Sequence, residues 1–204
     1  MLDNKGFDLW ADGYDESVRI SETSDTYPFA GYKKVLGTIY EKIRQQLGKK
    51  ILDVGFGTGV LSTKLYNDGY EIWGIDFSRE MIRIAGEKMP GAKLLQYDFT
   101  QGLPTELENQ RFDGIICTYA IHHLDDGAKI DFIHKLRQHL TDQGRIYIGD
   151  VAFEDENALK QCRIQSGDLW DEDEIYPVKE KLILAFPDLE FIKITDCSGV
   201  FVLS

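Results

Sequence analysis

The chain has 204 residues, with 35 Asp and Glu against 23 Lys and Arg, so its formal net charge is −12. Apolar residues at 43% and charged residues at 28% exclude wholesale disorder, and the length suits one domain, or two very small ones, with roughly 70% of the unfolded surface buried. The acidic balance weighs against a broad phosphate-binding face, because each nucleic-acid phosphate needs a positive partner.

Residues 1–30 are polar with interspersed aromatics (Phe7, Trp10, Tyr14, Tyr27, Phe29), and residues 33–47 place Val35, Leu36, Ile39, Ile43 and Leu47 at helical spacing before Gly48. Short apolar runs then alternate with amphipathic stretches. Strands are predicted at 50–54, 71–75, 92–97, 112–118, 144–151, 189–195 and 199–203, and helices at 58–68, 78–89, 127–140 and 177–186. Within 127–140, Ile130, Ile133, Leu136 and Leu140 form one stripe, and Gly144 is read as closing the turn before the next strand. Residues 51–54 and 114–117 are nearly all apolar, which implies burial on both faces and hence a parallel sheet covered by helices. The tail reads as a hairpin around Ser198-Gly199, so one strand should run antiparallel. Segment 150–174 carries nine acids against Lys160 and Arg163 and is read as a solvated loop and helix.

The strongest local signal is Asp53-Val54-Gly55-Phe56-Gly57-Thr58-Gly59, between a predicted strand and a predicted helix. Glycines there let the backbone turn and approach a ligand. A P-loop needs GKS or GKT, which is absent, and a dinucleotide fingerprint needs a glycine where Val60 stands. Asp53 is a poor neighbour for pyrophosphate and a good one for a cation. The plain alternative is a glycine-rich turn with no ligand. Asp76, ending the second strand 21 residues after Gly55, can accept both hydroxyls of an adenosine ribose; it or Ser78 could equally cap the next helix. Asp98, beside Phe99 at the third strand end, can accept from an adenine amino group while an aromatic ring packs on the base.

The fourth strand runs into Thr118-Tyr119-Ala120-Ile121-His122-His123-Leu124. His123, and second His122, are candidate general bases because imidazole titrates near neutrality; packing and solvation are the plain alternative. No metal site is expected, since adjacent histidines supply two ligands and the spacing shows no third. His134 and His139 are read as surface residues. Cys117, Cys162 and Cys197 are odd in number and lack a CxxC, so no disulfide framework is expected and a cytoplasmic, reducing location fits. The polar N-terminus does not read as a signal peptide, and no apolar run reaches the ~18 residues of a membrane span.

Taken together, FDLWADGYD, ILDVGFGTG, GIDFS, QYDF, FDGIICTYAIHHL and GRIYIGDV, in that order, resemble the class I S-adenosylmethionine-dependent methyltransferases, of the small bacterial YrrT or UbiE-like kind. The resemblance covers residues 8–204. It implies a Rossmann-like three-layer α/β sandwich whose seven-stranded, mostly parallel sheet has order 3-2-1-4-5-7-6 and an antiparallel last strand. Residues 1–35 would form an N-terminal helical lid over a 36–204 methyltransferase domain, with Tyr14 reaching the pocket. The resemblance also implies that Gly55 and Gly57 border the methionine part of S-adenosyl-L-methionine, with Asp53 supporting that loop. Asp76 would bind the ribose and Phe77 flank the adenine. Asp98 and Phe99 would hold the adenine edge, and Thr118 and Tyr119 would face the amino group and sulfonium. With no inserted substrate domain, the acceptor would be recognised by residues 1–35, 119–126 and 151–176.

Methyl transfer from a sulfonium needs alignment and water exclusion rather than a protein nucleophile. Trp10, Tyr14, Tyr27 and Phe29 could screen the pocket and stabilise cationic character. The expected function is transfer to a small-molecule acceptor. The alternatives are a non-catalytic cofactor-sensing module and an NAD-dependent oxidoreductase. The charge and the missing Asn/Asp-Pro-Pro-Tyr motif weigh against nucleic acid, while a tRNA acceptor stays open. The sequence does not fix the oligomeric state.

Overall fold

A computed structural model describes residues 27–204. Tyr14 and Trp10 therefore lie outside the described residues. Among the described residues, six α-helices, α1 (Tyr32–Arg44), α2 (Val60–Asn67), α3 (Arg79–Lys88), α4 (Asp126–Arg137), α5 (Glu156–Ser166) and α6 (Lys179–Ala185), alternate with seven strands. The strands are β1 (Lys50–Val54), β2 (Glu71–Asp76), β3 (Lys93–Gln96), β4 (Phe112–Thr118), β5 (Leu140–Asp150), β6 (Glu190–Lys193) and β7 (Gly199–Leu203). They form one sheet of order β3-β2-β1-β4-β5-β7-β6. All pairings are parallel except those of β7, which is antiparallel to both β5 and β6.

The three layers follow from the two-residue period of the central strands. Ile51, Ile116, Tyr147, Val200 and Val202 face the layer that holds Val35, Ile39 and Ile43 of α1 and Leu61 and Leu65 of α2. Their neighbours Leu52, Ile115, Ile146, Ile148 and Phe201 face Phe132, Ile133 and Leu136 of α4 and Leu182 of α6. Both sheet faces are thus covered, as the apolar runs require. Capping residues fix where helices begin: Ser78 accepts from Met81 N at 3.2 Å and Asp125 from Ala128 N at 2.7 Å. Ser78, not Asp76, fills the cap position of α3.

Three expectations are corrected. Helix α4 ends at Arg137, and Leu140 opens β5 rather than closing the helical stripe. Gly144 lies inside β5, where the register against β4 jumps between Phe112↔Leu140 and Gly114↔Arg145. A Cβ at Gly144 would stand 2.7 Å from Phe112 O, so glycine serves a close backbone approach there. The absence of a disulfide is also overturned: Cys162 on α5 is bonded to Cys197 in the β6–β7 turn, 35 residues away, with 5.8 Å between Cα atoms. Chain spacing hides this pair because α5 packs beside the hairpin only in the folded sheet. Cys117 alone stays a free, buried thiol, so the cysteine count no longer argues for a reducing compartment. No helix among the described residues is long and apolar enough to cross a membrane.

The strand order reverses between β1 and β4, since β2 lies on one side of β1 and β4 on the other. A crevice opens at such a switch point, outside the carboxyl ends of the strands. The turns after β1, β2, β4 and β5 all arrive there.

Candidate active site

A cavity of about 400 Å³ sits at this edge. The β1–α2 turn forms its floor. Gly55, Gly57 and Gly59 all have positive φ, at 67°, 55° and 72°, a region that side chains rarely adopt. Gly55 N donates to Ile75 O at 2.8 Å, and a Cβ on Gly55 would meet Ala120 Cβ at 2.7 Å. The turn is therefore pinned to β2 on one side and to the β4 loop on the other.

Two acids support it. Asp76 is 5% exposed; its Oδ2 accepts from Gly57 N and its Oδ1 from Ser78 N, each at 2.9 Å. Asp53 is 2% exposed. Its Oδ2 accepts from Ser62 Oγ at 2.5 Å, while its Oδ1 is buried with no hydrogen-bond partner. Burial pushes the Asp53 carboxyl up to about 7; the Ser62 hydroxyl opposes that shift, and the Asp76 charge adds to it. A buried, half-satisfied carboxylate on a cavity wall suits a cationic ligand.

The opposite wall carries the histidines. His122 Nδ1 lies 2.8 Å from Asp150 Oδ1, and His122 Nε2 lies 3.3 Å from Glu174 Oε1. Burial alone would lower the His122 pKa; the Asp150 charge, its hydrogen bond and Glu174 reverse this, and the imidazole ends above its ordinary value. His123 goes the other way, down to about 4, through burial first and the neighbouring His122 second. Glu174 is raised by burial, against the pull of His122, and its Oε2 accepts from Tyr176 at 2.6 Å. Lys129, fully buried, donates from Nζ to Leu124 O at the end of the histidine turn. Burial lowers its ammonium to about 8 despite Asp126 and Asp150. Ile175 N donates to His122 O at 3.0 Å, which ties the turn to segment 169–176.

The structure thus brings Asp53, Gly55, Gly57, Asp76, Phe77, Phe99, Thr118, Tyr119, His122 and His123 to one cavity. It does not bring Asp98 there. That side chain is exposed and bonds Thr100 N at 3.0 Å and Thr100 Oγ1 at 2.7 Å, capping the turn that carries Phe99. Asp150, Glu174 and Asp171 escaped the sequence reading. Segment 150–174 read as solvated surface, and most of α5 is; only an acid ending the β5 apolar run hinted at Asp150. Glu174 also supplies the third donor that spacing did not show. Its donor atom and those of His122 and His123 lie within 4.8 Å of one another. That spread is wider than the roughly 3.3 Å between ligand atoms around a tetrahedral ion with ~2.0 Å bonds. His122 Nε2 and Glu174 Oε1 stand 3.3 Å apart, an ion pair whenever the imidazole is protonated.

A family model described as a methyltransferase domain matches residues 51–144. An uncharacterized methyltransferase of Geobacillus kaustophilus is 39% identical over 157 residues, covering 76% of this chain and 70% of that one. Another, of Oceanobacillus iheyensis, is 33% identical over 192 residues, covering 91% and 87%. Among solved structures, a complex of DhpI with S-adenosylhomocysteine superposes with a TM-score of 0.71 at 14% identity, over 98% of this chain and 94% of that one. An S-adenosylmethionine-dependent methyltransferase from Clostridium acetobutylicum gives 0.68 at 16% identity, over 94% and 98%. With the glycine turn and strand-end acids already in place, these likenesses make the chain a member of the methyltransferase family.

Proposed function

We propose that the protein methylates a small-molecule acceptor, with His122 taking the acceptor's proton. The observation that carries this reading is that one cavity joins the glycine turn and its strand-end acids to the Asp150–His122 pair. S-adenosylmethionine, when bound, supplies an activated methyl group on sulfur. The residues present fit it. The unpartnered Oδ1 of Asp53 is suited to its ammonium. Each oxygen of Asp76 accepts one backbone N–H, and a carboxylate has capacity for further donors such as ribose hydroxyls. Phe77 and Phe99 offer apolar faces to the adenine, and Asp98 fixes the turn beneath Phe99. Thr118 and Tyr119, at the β4 end beside the glycine turn, border the methionine part.

His122 is better suited than His123 to the proton transfer. Asp150 fixes the Nδ1–H tautomer and leaves Nε2 as acceptor. A weakly basic His123 is a better neutral wall. Tyr27, Phe29 and Tyr32 line the cavity from the N-terminal side, which supports residues 1–35 as its cover, although α1 begins inside that span.

Calorimetry tests the cofactor half: S-adenosylhomocysteine should bind with one site per chain and NADH should not. Binding of NADH alone would return the protein to the oxidoreductase alternative.

A further inference from the structure

We propose that the acceptor is an amine, held as its ammonium by Glu174 and Asp171 before methylation. The inference rests on the methyltransferase reading and names its substrate class. Asp76 ends β2 and Asp150 ends β5, three strand spacings apart, roughly 14 Å at ~4.8 Å each. The cofactor's adenosine and the acceptor therefore have separate ends of one cavity. At the β5 end the wall carries Asp171, Glu174 and His122, with Asp150 behind. Among the described residues, no Lys or Arg lines the cavity. Lys129 is fully buried and bonded to Leu124 O, and Lys88 donates to Thr58 O at 3.0 Å beside the glycine turn, at the other end of the cavity.

Charge balance then selects the ligand. While His122 is protonated, Glu174 has a counter-ion at 3.3 Å. When His122 is neutral and able to accept a proton, half-buried Glu174 loses that counter-ion, and exposed Asp171, whose Oδ1 accepts from Asp173 N at 2.8 Å, adds a second negative charge on the cavity lining. A carboxylate or phosphate acceptor would be repelled, and an alcohol would leave the charge uncompensated. An ammonium restores it, and Tyr27, Phe29 and Tyr119 on the same cavity present aromatic faces that favour cations. The net charge of −12 attracts such a ligand from solution.

The reaction balances simply. The ammonium gives one proton to Nε2 of His122. The freed nitrogen lone pair forms the N–C bond as the C–S pair returns to sulfur, and the positive charge passes to the methylated nitrogen. His122 then releases its proton to water.

The test uses matched probes on protein saturated with S-adenosylhomocysteine: benzylamine, benzyl alcohol and benzoate, then tyramine, tyrosol and 4-hydroxyphenylacetate, followed by calorimetry. In at least one set the amine should bind about tenfold more tightly than its partners, the scale of one charged hydrogen bond. Glu174→Gln should remove most of that preference while leaving S-adenosylhomocysteine affinity unchanged. Asp171→Asn, at an exposed position, should reduce it without endangering the fold. An alcohol or carboxylate that matches the amine in both sets, amines that fail to bind, or variants without effect overturn the assignment. So does one Zn²⁺ bound per chain and lost in both Glu174→Gln and His123→Ala, because Glu174 is then a metal ligand. If S-adenosylhomocysteine itself does not bind, the methyltransferase reading fails first.

Discussion

Single side chains at this site do two jobs, and their substitution should show both. Asp76 holds the glycine turn through Gly57 N and the α3 entry through Ser78 N, and in the proposed site it also receives the ribose. Asp76→Ala should weaken S-adenosylhomocysteine binding by ~1.5–3 kcal/mol, the worth of hydrogen bonds to a charged group. Unchanged affinity in calorimetry removes Asp76 from the cofactor site. For His122 the sign is set by its neighbours. Its folded pKa lies above the ordinary ~6.5, and the neutral ring is the base. Methylation should therefore rise with pH, with a midpoint above 6.5. Asp150→Asn removes the charge behind Nδ1 and should move that midpoint down as well as lowering the maximal rate. The same shift makes His122 stabilising below ~6.5, a contribution lost as pH climbs through the folded value. A flat pH–rate profile between 6 and 9 excludes His122 as the base. In the sequence, where His123 is the first candidate and His122 the second, two adjacent imidazoles look alike; the fold shows the Asp150 carboxylate behind His122.

At the scale of elements, the legible parts are those whose signal is local. Strands β1, β4 and β7 fall where their apolar runs place them, and the glycine turn is read from Gly55, Gly57 and Gly59 because backbone conformation restricts residue type at each position. The β5 boundary was misread, since a register jump of several residues leaves no local pattern, and Leu140 fits a helical stripe as well as a strand. The turn also gives a contrast between two glycines. Gly55 has φ 67° and a Cβ there would meet Ala120 at 2.7 Å, whereas Gly37, inside α1, has open space around it. Gly55→Ala should cost about 1–3 kcal/mol in strain and contact and lower S-adenosylhomocysteine affinity. Gly37→Ala should stabilise by roughly 0.5–1 kcal/mol through helix propensity, with no effect on binding. Thermal melts and calorimetry on both variants check this; equal behaviour would mean the turn tolerates a side chain and does not cradle the ligand closely.

For the whole molecule, the parallel core is legible because it follows from alternation and burial, the sheet order comes with the family resemblance, and that resemblance points to residues 1–35, 119–126 and 151–176 for the acceptor without showing which side chains form its wall. It is assembled from Tyr27, the β5 end and segment 169–176, which meet only after the chain closes around a third, small cluster of Tyr27, Val151, Phe153, Cys162, Tyr176 and Val178. The Cys162–Cys197 bond ties that cluster to the β6–β7 turn, at the far edge of the sheet from the proposed adenosine site. It closes a span of 35 residues, for which loop entropy gives roughly 3–4 kcal/mol of stabilisation. Asp171 and Glu174 hang from the chain between the two cysteines, whereas Asp53, Asp76 and the glycine turn are held by the parallel strands. Reduction, or Cys162→Ser with Cys197→Ser, should therefore lower the melting temperature by several degrees and weaken amine probes, yet leave S-adenosylhomocysteine affinity within about twofold. Melts and titrations with and without reductant separate these effects. If cofactor affinity falls in step with probe affinity, the two ends of the cavity unfold as one unit, and the acceptor wall is not the separately fastened element that this bond suggests.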